Sequence, residues 1–240
     1  MAGRRLLAAD LGTVPYAAAL ERQRGLADDR IAGRLADDLL LLLEHPPVVT
    51  LGRGARDSSL PIAPELLRRR GIEVFEIERG GDVTYHGPGQ LVGYPIFDLG
   101  QHRRDLHWFL REIEEALITA LATFGIPGER RGGYTGVWTS GGEGGRKIAS
   151  IGIHVKQWVT WHGFALNVTT DLEPFGLIVP CGIPGVVMTS VAQELEARGH
   201  RDTAARDLGR DVREAVVDAF VRTFGFEGAE KVDLASSVGR

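Results

Sequence analysis

Cysteine is almost missing from this 240-residue chain, in which Cys181 stands alone. One thiol excludes an internal disulfide and any cysteine-based zinc site, so a reducing, cytoplasmic setting is expected. A strong charge of one sign is lacking too. The 28 Lys and Arg residues face 32 Asp and Glu, a net charge of -4, without the basic footprint that broad nucleic-acid binding leaves. Long apolar runs are also absent. The longest aliphatic run, Leu39 to Leu43, falls far short of the roughly 20 residues of a membrane helix. Asp10 and Gly12 cut off the apolar patch after Arg4-Arg5 before a signal-peptide core develops.

Several standard site signatures are missing as well. Lys147 is flanked by Arg146 and Ile148, which is not a phosphate-binding Walker loop. Ser150 has Ile148 two positions earlier, where a nucleophile elbow needs glycine. No two of the seven histidines form the His-Glu-x-x-His pattern. Neither a metal nor a cofactor is expected.

What is there reads as an α+β chain with a mixed sheet flanked by helices, in one domain over residues 1–240. Leu6–Leu11 is expected as a first strand, and Pro15 opens a helix from Tyr16 to Ile31. Leu39–Glu44 has the unbroken apolar pattern of a strand buried on both faces, with Val48–Leu51 expected beside it. A short helix over Pro64–Arg70 precedes a strand over Glu73–Glu78. Leu106, Phe109, Ile113, Leu117, Leu121 and Phe124 recur at helical spacing, with Asp105 to cap the start and Gly125 the end. Strands are expected over Gly136–Thr139, Lys147–Val155 and Thr160–Val168, and a last helix over Ala204–Phe224. The tail after Gly225 carries no signal.

The chemistry-bearing residues gather in four stretches. Cys181 lies in Pro180-Cys181-Gly182, inside a segment whose glycine and prolines predict a rigid turn that presents the thiol. A cysteine needs a cation or base nearby to become a thiolate at neutral pH, and Lys147, at the start of Lys147-Ile148-Ala149-Ser150-Ile151-Gly152, is the best candidate. The stretch Arg79 to Gln90 packs four glycines and a proline among Arg79, Thr84, His86 and Gln90. Small residues beside convergent polar ones are the makings of a ligand-binding wall. His162-Gly163-Phe164-Ala165-Leu166-Asn167 repeats the His-Gly pair of His86-Gly87.

These four stretches, in this order and approximate spacing, resemble the octanoyltransferases, also called lipoyl/octanoyl transferases or lipoate-protein ligase B. The resemblance runs from Leu39 to about Leu195, with no departure at a motif position; the glycine-rich segment before Lys147 and the C-terminal tail carry no family signature. It implies the fold of biotin and lipoate ligase catalytic domains. It also implies transfer of an octanoyl or lipoyl group from acyl carrier protein to a lysine of lipoyl domains, such as those of 2-oxoacid dehydrogenases and the glycine cleavage H protein. By resemblance Cys181 is the nucleophile of a thioester acyl-enzyme, and Lys147 favours its thiolate and shuttles its proton. Arg79, Gly80, Gly81, Asp82, Val83, Thr84, Tyr85 and His86 are then substrate-binding positions, as are Ser150, Ile151, Gly152, Gly163, Phe164 and Ala165.

Physical chemistry agrees with that assignment. Free cysteine titrates near about 8.5 and lysine near about 10.4, so an adjacent ammonium favours the thiolate. Burying the carbons of an octanoyl chain beyond its carbonyl is worth on the order of 5–6 kcal/mol, and Ile151, Ile153, Phe164 and Leu166 are expected as walls of the slot. The pairs Arg103-Arg104 and Arg130-Arg131 are the clustered bases available to an acidic carrier. Two rivals remain open: an ATP-dependent lipoate or biotin ligase, which forms an adenylate and needs no cysteine, and a non-catalytic module that only holds an acyl carrier.

Overall fold

The computed structural model describes residues 4–140, 145–200 and 207–234. Its strands are β1 (Arg5–Thr13), β2 (Asp38–Glu44), β3 (Val48–Leu51), β4 (Glu73–Glu76), β5 (Val83–His86), β6 (Gln90–Ile96), β7 (Gly128–Glu129), β8 (Val137–Thr139), β9 (Arg146–Lys156), β10 (Val159–Asn167) and β11 (Gly228–Lys231). Its helices are α1 (Tyr16–Ile31), α2 (Pro64–Arg69), α3 (Leu106–Ala122), α4 (Val191–Ala197) and α5 (Leu208–Phe224).

Eight strands form a mixed sheet in the order β11-β1-β2-β6-β10-β9-β8-β7, and β4-β3-β5 form a second, three-stranded sheet. The continuous apolar run of β2 is explained by its position, for it is covered on both sides. Leu40 and Leu42 point into a core shared with α3 and α5, while Leu39, Leu41 and Leu43 point into a second core under α1. The first core holds Phe109, Ile113, Leu117 and Leu121 from α3 against Val212, Val216, Phe220 and Phe224 from α5. The Asp105 carboxylate accepts from Trp108 N–H at 3.0 Å and so starts α3 as its sequence predicts.

Some expectations are corrected. β3 is not a neighbour of β2; the double proline Pro46-Pro47 carries the chain into the small sheet, where β3 pairs parallel with β4 and antiparallel with β5. The glycine-rich stretch from Arg79 is only partly a loop. Residues 83–86 are β5 and Gln90 opens β6, so Gly87-Pro88-Gly89 crosses from the small sheet to the large one. The tail is not featureless, since β11 pairs parallel with β1. The last helix starts at Leu208 with Asp207 as its cap; residues 204–206 of the expected helix lie outside the described residues. Among the described residues no helix is long and apolar enough to cross a membrane.

Candidate active site

Lys147 and Cys181, 34 residues apart in sequence, meet in the structure. Lys147 Nζ lies 3.1 Å from Cys181 Sγ, and Ser150 Oγ lies 3.6 Å from the same sulfur. They sit in a cavity of about 190 Å³ between β9, β10, the Arg79 loop and the cysteine turn.

Local structure explains both positions. Cys181 has φ 57° and ψ 19°, left-handed values that a non-glycine residue adopts at a cost and that occur where a side chain must be presented. The following Gly182 is also left-handed, at φ 66°, and a Cβ there would strike the Asp82 carboxylate. That carboxylate is itself fixed by Ser59 Oγ, which donates at 2.8 Å, and by Val83 N–H at 2.7 Å. Lys147 is 1% exposed. Its backbone is pinned on both sides, with its N–H donating to Val187 O at 2.8 Å and its C=O accepting from Thr189 N–H at 2.9 Å. Its ammonium also donates to Thr135 O at 3.3 Å and stands 4.6 Å from the centre of the Trp138 ring, a cation–π contact.

Arg79 closes another side. It is buried, and its guanidinium donates to Thr50 O at 2.7 Å and to Gly80 O at 3.1 Å. Burial lowers its hold on its proton, opposed by the negative groups Tyr16, Cys181, Tyr94 and Asp82 can carry. Gly152 is what lets this loop approach β9, because a Cβ there would lie 2.7 Å from Gly80 O.

The part of the wall that carries the two histidines is polar yet uncharged. Burial pushes His86 down to about 3 and His162 down to about 3, so both imidazoles are neutral near neutral pH. Gln90 Oε1 bonds His86 Nδ1 at 2.8 Å. His162, held at φ 56°, keeps its Nε2 without a hydrogen-bond partner, and Thr84 Oγ1 is also unpartnered. Both residues line the cavity. A neutral, desolvated wall with spare polar atoms is suited to holding an uncharged, weakly polar ligand group.

Of the residues that the sequence singles out, Arg79, Gly81, Asp82, Thr84, His86, Ser150, Ile151, Gly152, Gly163, Phe164 and Ala165 border the cavity with Lys147 and Cys181. Gly80, Val83 and Tyr85 do not. Strand alternation turns Val83 and Tyr85 away, into a small core with Phe175 and Ile178. Gly80 contributes backbone only, its N–H donating to Ile153 O at 3.0 Å. The expected slot walls need the same correction. Ile153 and Leu166 lie in the core under α3 and α5. Val92, Tyr94 and Tyr16 take their place on the cavity side. Alternation on β6, pairing with β10, would have offered Val92 and Tyr94; nothing local to Tyr16 marks it.

A mixed sheet with a buried lysine and a turn-borne cysteine at one cavity makes an α+β domain whose site is equipped to activate a thiol. The comparisons narrow this. The profile described as "Lipoyl protein ligase A/B catalytic domain" matches residues 15–220. The octanoyltransferase of Gloeobacter violaceus is 56% identical over 238 residues, covering 98% of this chain and 99% of that one. That of Nostoc sp. is 47% identical over 216 residues, covering 90% of each chain. Among solved structures, lipoate-protein ligase A bound with ATP superposes with a TM-score of 0.65 at 18% identity, over 97% of this chain and 90% of that one; at that identity the likeness speaks for the fold alone. The chain belongs to the lipoyl protein ligase A/B catalytic domain family, on its octanoyltransferase branch.

Proposed function

We propose that this protein is an acyltransferase of protein lipoylation that moves an octanoyl group from acyl carrier protein to a lysine of lipoyl domains, through a thioester on Cys181. The observation that carries the reading is the 3.1 Å contact of Lys147 Nζ with Cys181 Sγ inside the cavity. The ammonium favours the thiolate. The sulfur attacks the carbonyl of the octanoyl thioester; the bond to the phosphopantetheine sulfur breaks, and Lys147 supplies the proton that the departing thiol takes. The amine of the target lysine then attacks the Cys181 thioester and loses a proton to Lys147, and Cys181 leaves as thiolate. One thioester is exchanged for another, then for an amide, so the balance closes without ATP.

The rest of the cavity serves the acyl chain. Val92, Phe164 and Ala165 offer apolar surface, while Arg79, Asp82 and Gly152 fix the loop over it. The catalytic unit in this reading is one domain comprising the whole chain, working in the cytoplasm, with 2-oxoacid dehydrogenase lipoyl domains and the glycine cleavage H protein as acceptors. The ATP-dependent ligase remains as a second reading because the same fold carries it. Intact mass after mixing with octanoyl carrier protein tests the choice. One added octanoyl group, released by hydroxylamine and missing in Cys181→Ala, supports transfer; ATP–pyrophosphate exchange dependent on free acid, without labelling, would reverse it.

A further inference from the structure

Lys147 has a counter-charge arrangement that the motifs do not reveal. Among the described residues no carboxylate forms an ion pair with its ammonium, whose acceptors are Cys181 Sγ and Thr135 O. The Thr135 carbonyl belongs to the same peptide unit as the Gly136 N–H. That N–H donates at 2.9 Å to Oε1 of Glu114, a carboxylate from α3 that is 0% exposed. The two Glu114 oxygens divide their work. Oε2 takes Arg111 Nη1 at 2.6 Å and Arg130 Nε at 3.2 Å, leaving Oε1 to the peptide.

We propose that Glu114 is a positioning residue for the transfer: acting through the Thr135–Gly136 peptide, its carboxylate holds Lys147 as an ammonium against Cys181. The inference rests on the reading of Lys147 and Cys181 given above. An anion on the N–H side of a peptide draws electron density towards its C=O, and hydrogen bonds in series strengthen one another in a low-dielectric interior. Thr135 O is thereby a better acceptor for a cation. The geometry is specific to glycine. Gly136 has φ 137°, and a Cβ there would lie 2.5 Å from Ala149 O and 3.0 Å from Lys147 Cε. Arg130 also binds Glu115 at 2.7 Å.

Other charges face the pair from every side. Arg79 and Asp82 lie on the cysteine side, and Asp82 sits under Gly182. Arg146, next to Lys147, is bound at 2.8 Å by Glu194 of α4. Arg111 and Arg130 partly offset Glu114. Glu114 differs from these in reaching Lys147 through its own hydrogen-bond acceptor. The charged pair, thiolate with ammonium, exchanges with the neutral pair, thiol with amine. Removing a negative charge on the lysine side moves that exchange towards the neutral pair.

Glu114→Gln tests this, since the amide oxygen can still accept from Gly136 N–H while the charge is gone. At pH 7 the Cys181 thiolate absorbance in the ultraviolet should fall. Alkylation by iodoacetamide should slow about threefold to tenfold, equivalent to a half to one pK unit in the exchange. Turnover should fall with it, while KM for octanoyl carrier protein stays within about twofold. Wild-type alkylation and absorbance in a folded variant would overturn the proposal. Should the variant not fold, nuclear magnetic resonance of the wild type decides: the Gly136 amide proton must shift as the Lys147–Cys181 pair titrates, and a shift constant through that titration refutes the coupling. Alkylation needs no acyl donor, so a wild type that is never octanoylated would sink the transfer reading and leave this measurement standing.

Discussion

The two faces of the eight-stranded sheet are made by the same strands and differ in nearly every physical respect. Under α3 and α5 the face is apolar and aromatic, with Phe97, Phe109, Phe220 and Phe224 packed ring to ring at centroid distances from 5.1 to 6.4 Å. Phe220 is 0% exposed. On the other face α1 covers the second apolar core, and beside it lie buried polar groups, among them Tyr16, His45, His86, Tyr94 and His162. His162 and its neighbour Gln23 keep unpartnered polar atoms there. One face supplies stability through area removed from water. The other gives some of that up, because orphaned polar groups cost free energy, and in return holds a cavity.

That contrast can be tested by substitution. The largest effect belongs to Cys181→Ala, which should abolish transfer from octanoyl carrier protein to a lipoyl domain while leaving the thermal transition near that of the wild type. Next comes Lys147→Arg. Guanidinium keeps the charge but does not exchange a proton near neutral pH, so turnover should drop roughly a hundredfold or more, the low end of general acid–base contributions. Near-normal turnover would make Lys147 an electrostatic neighbour only. Phe220→Ala should do the reverse of both. It should cost about 3–5 kcal/mol in denaturant unfolding and leave kcat of the folded fraction nearly unchanged. A large loss of kcat there would dissolve the division between the faces.

A further effect is on acid stability, and it belongs to the polar face. Burial pushes His45 down to about 4, and His86 and His162 to about 3, from the ordinary 6.5. Below pH 6.5 the unfolded chain therefore binds protons that the folded chain refuses, and stability falls as pH drops from 6.5 towards 4. Glu78 and Glu194 add to this only later. Burial raises each, but hydrogen bonds from Arg24 and Trp161 to Glu78, and from Arg146 and Arg198 to Glu194, outweigh it and hold both at about 2. Their contribution is intact above the ordinary 4.5 and fades as pH falls from there to 2. Thermal melts should show a decline beginning near pH 6.5. His86→Gln, provided it folds, should flatten it; a melting temperature constant from pH 7 to 5 would contradict the neutral wall.

The uneven burial also explains what was legible in the sequence. The stripe from Leu106 to Leu121 and the run Leu39–Leu43 announce their elements because a face or a whole strand is apolar. Cys181 and Lys147 stand out by chemistry and by family resemblance, and their contact is where the structure places them. Sidedness was lost. Ile153 and Leu166 read like slot walls, yet they pack in the phenylalanine core, two residues along the same strand faces from Ile151 and Phe164 at the cavity, and Val83 and Tyr85 go to the small one. The pairing of β3 depends on the path after Pro46-Pro47, which periodicity does not record. Tyr16 and Glu114 reach the site only through the packing of α1 and α3. A charged residue beside Ile113, four short of Ile118 on a core helix, was the one local signal for Glu114.

If transfer runs through Cys181, its thioester is a true intermediate rather than a side product. The direct measurement is a single-turnover chase. Protein octanoylated by the carrier, then freed of it, is mixed with an unmodified lipoyl domain, and both intact masses are followed in time. The octanoyl mass should leave Cys181 and arrive on the lipoyl domain in equal amounts, at least as fast as steady-state turnover. An acyl-enzyme that stays loaded, or transfers far more slowly than the enzyme turns over, would contradict it.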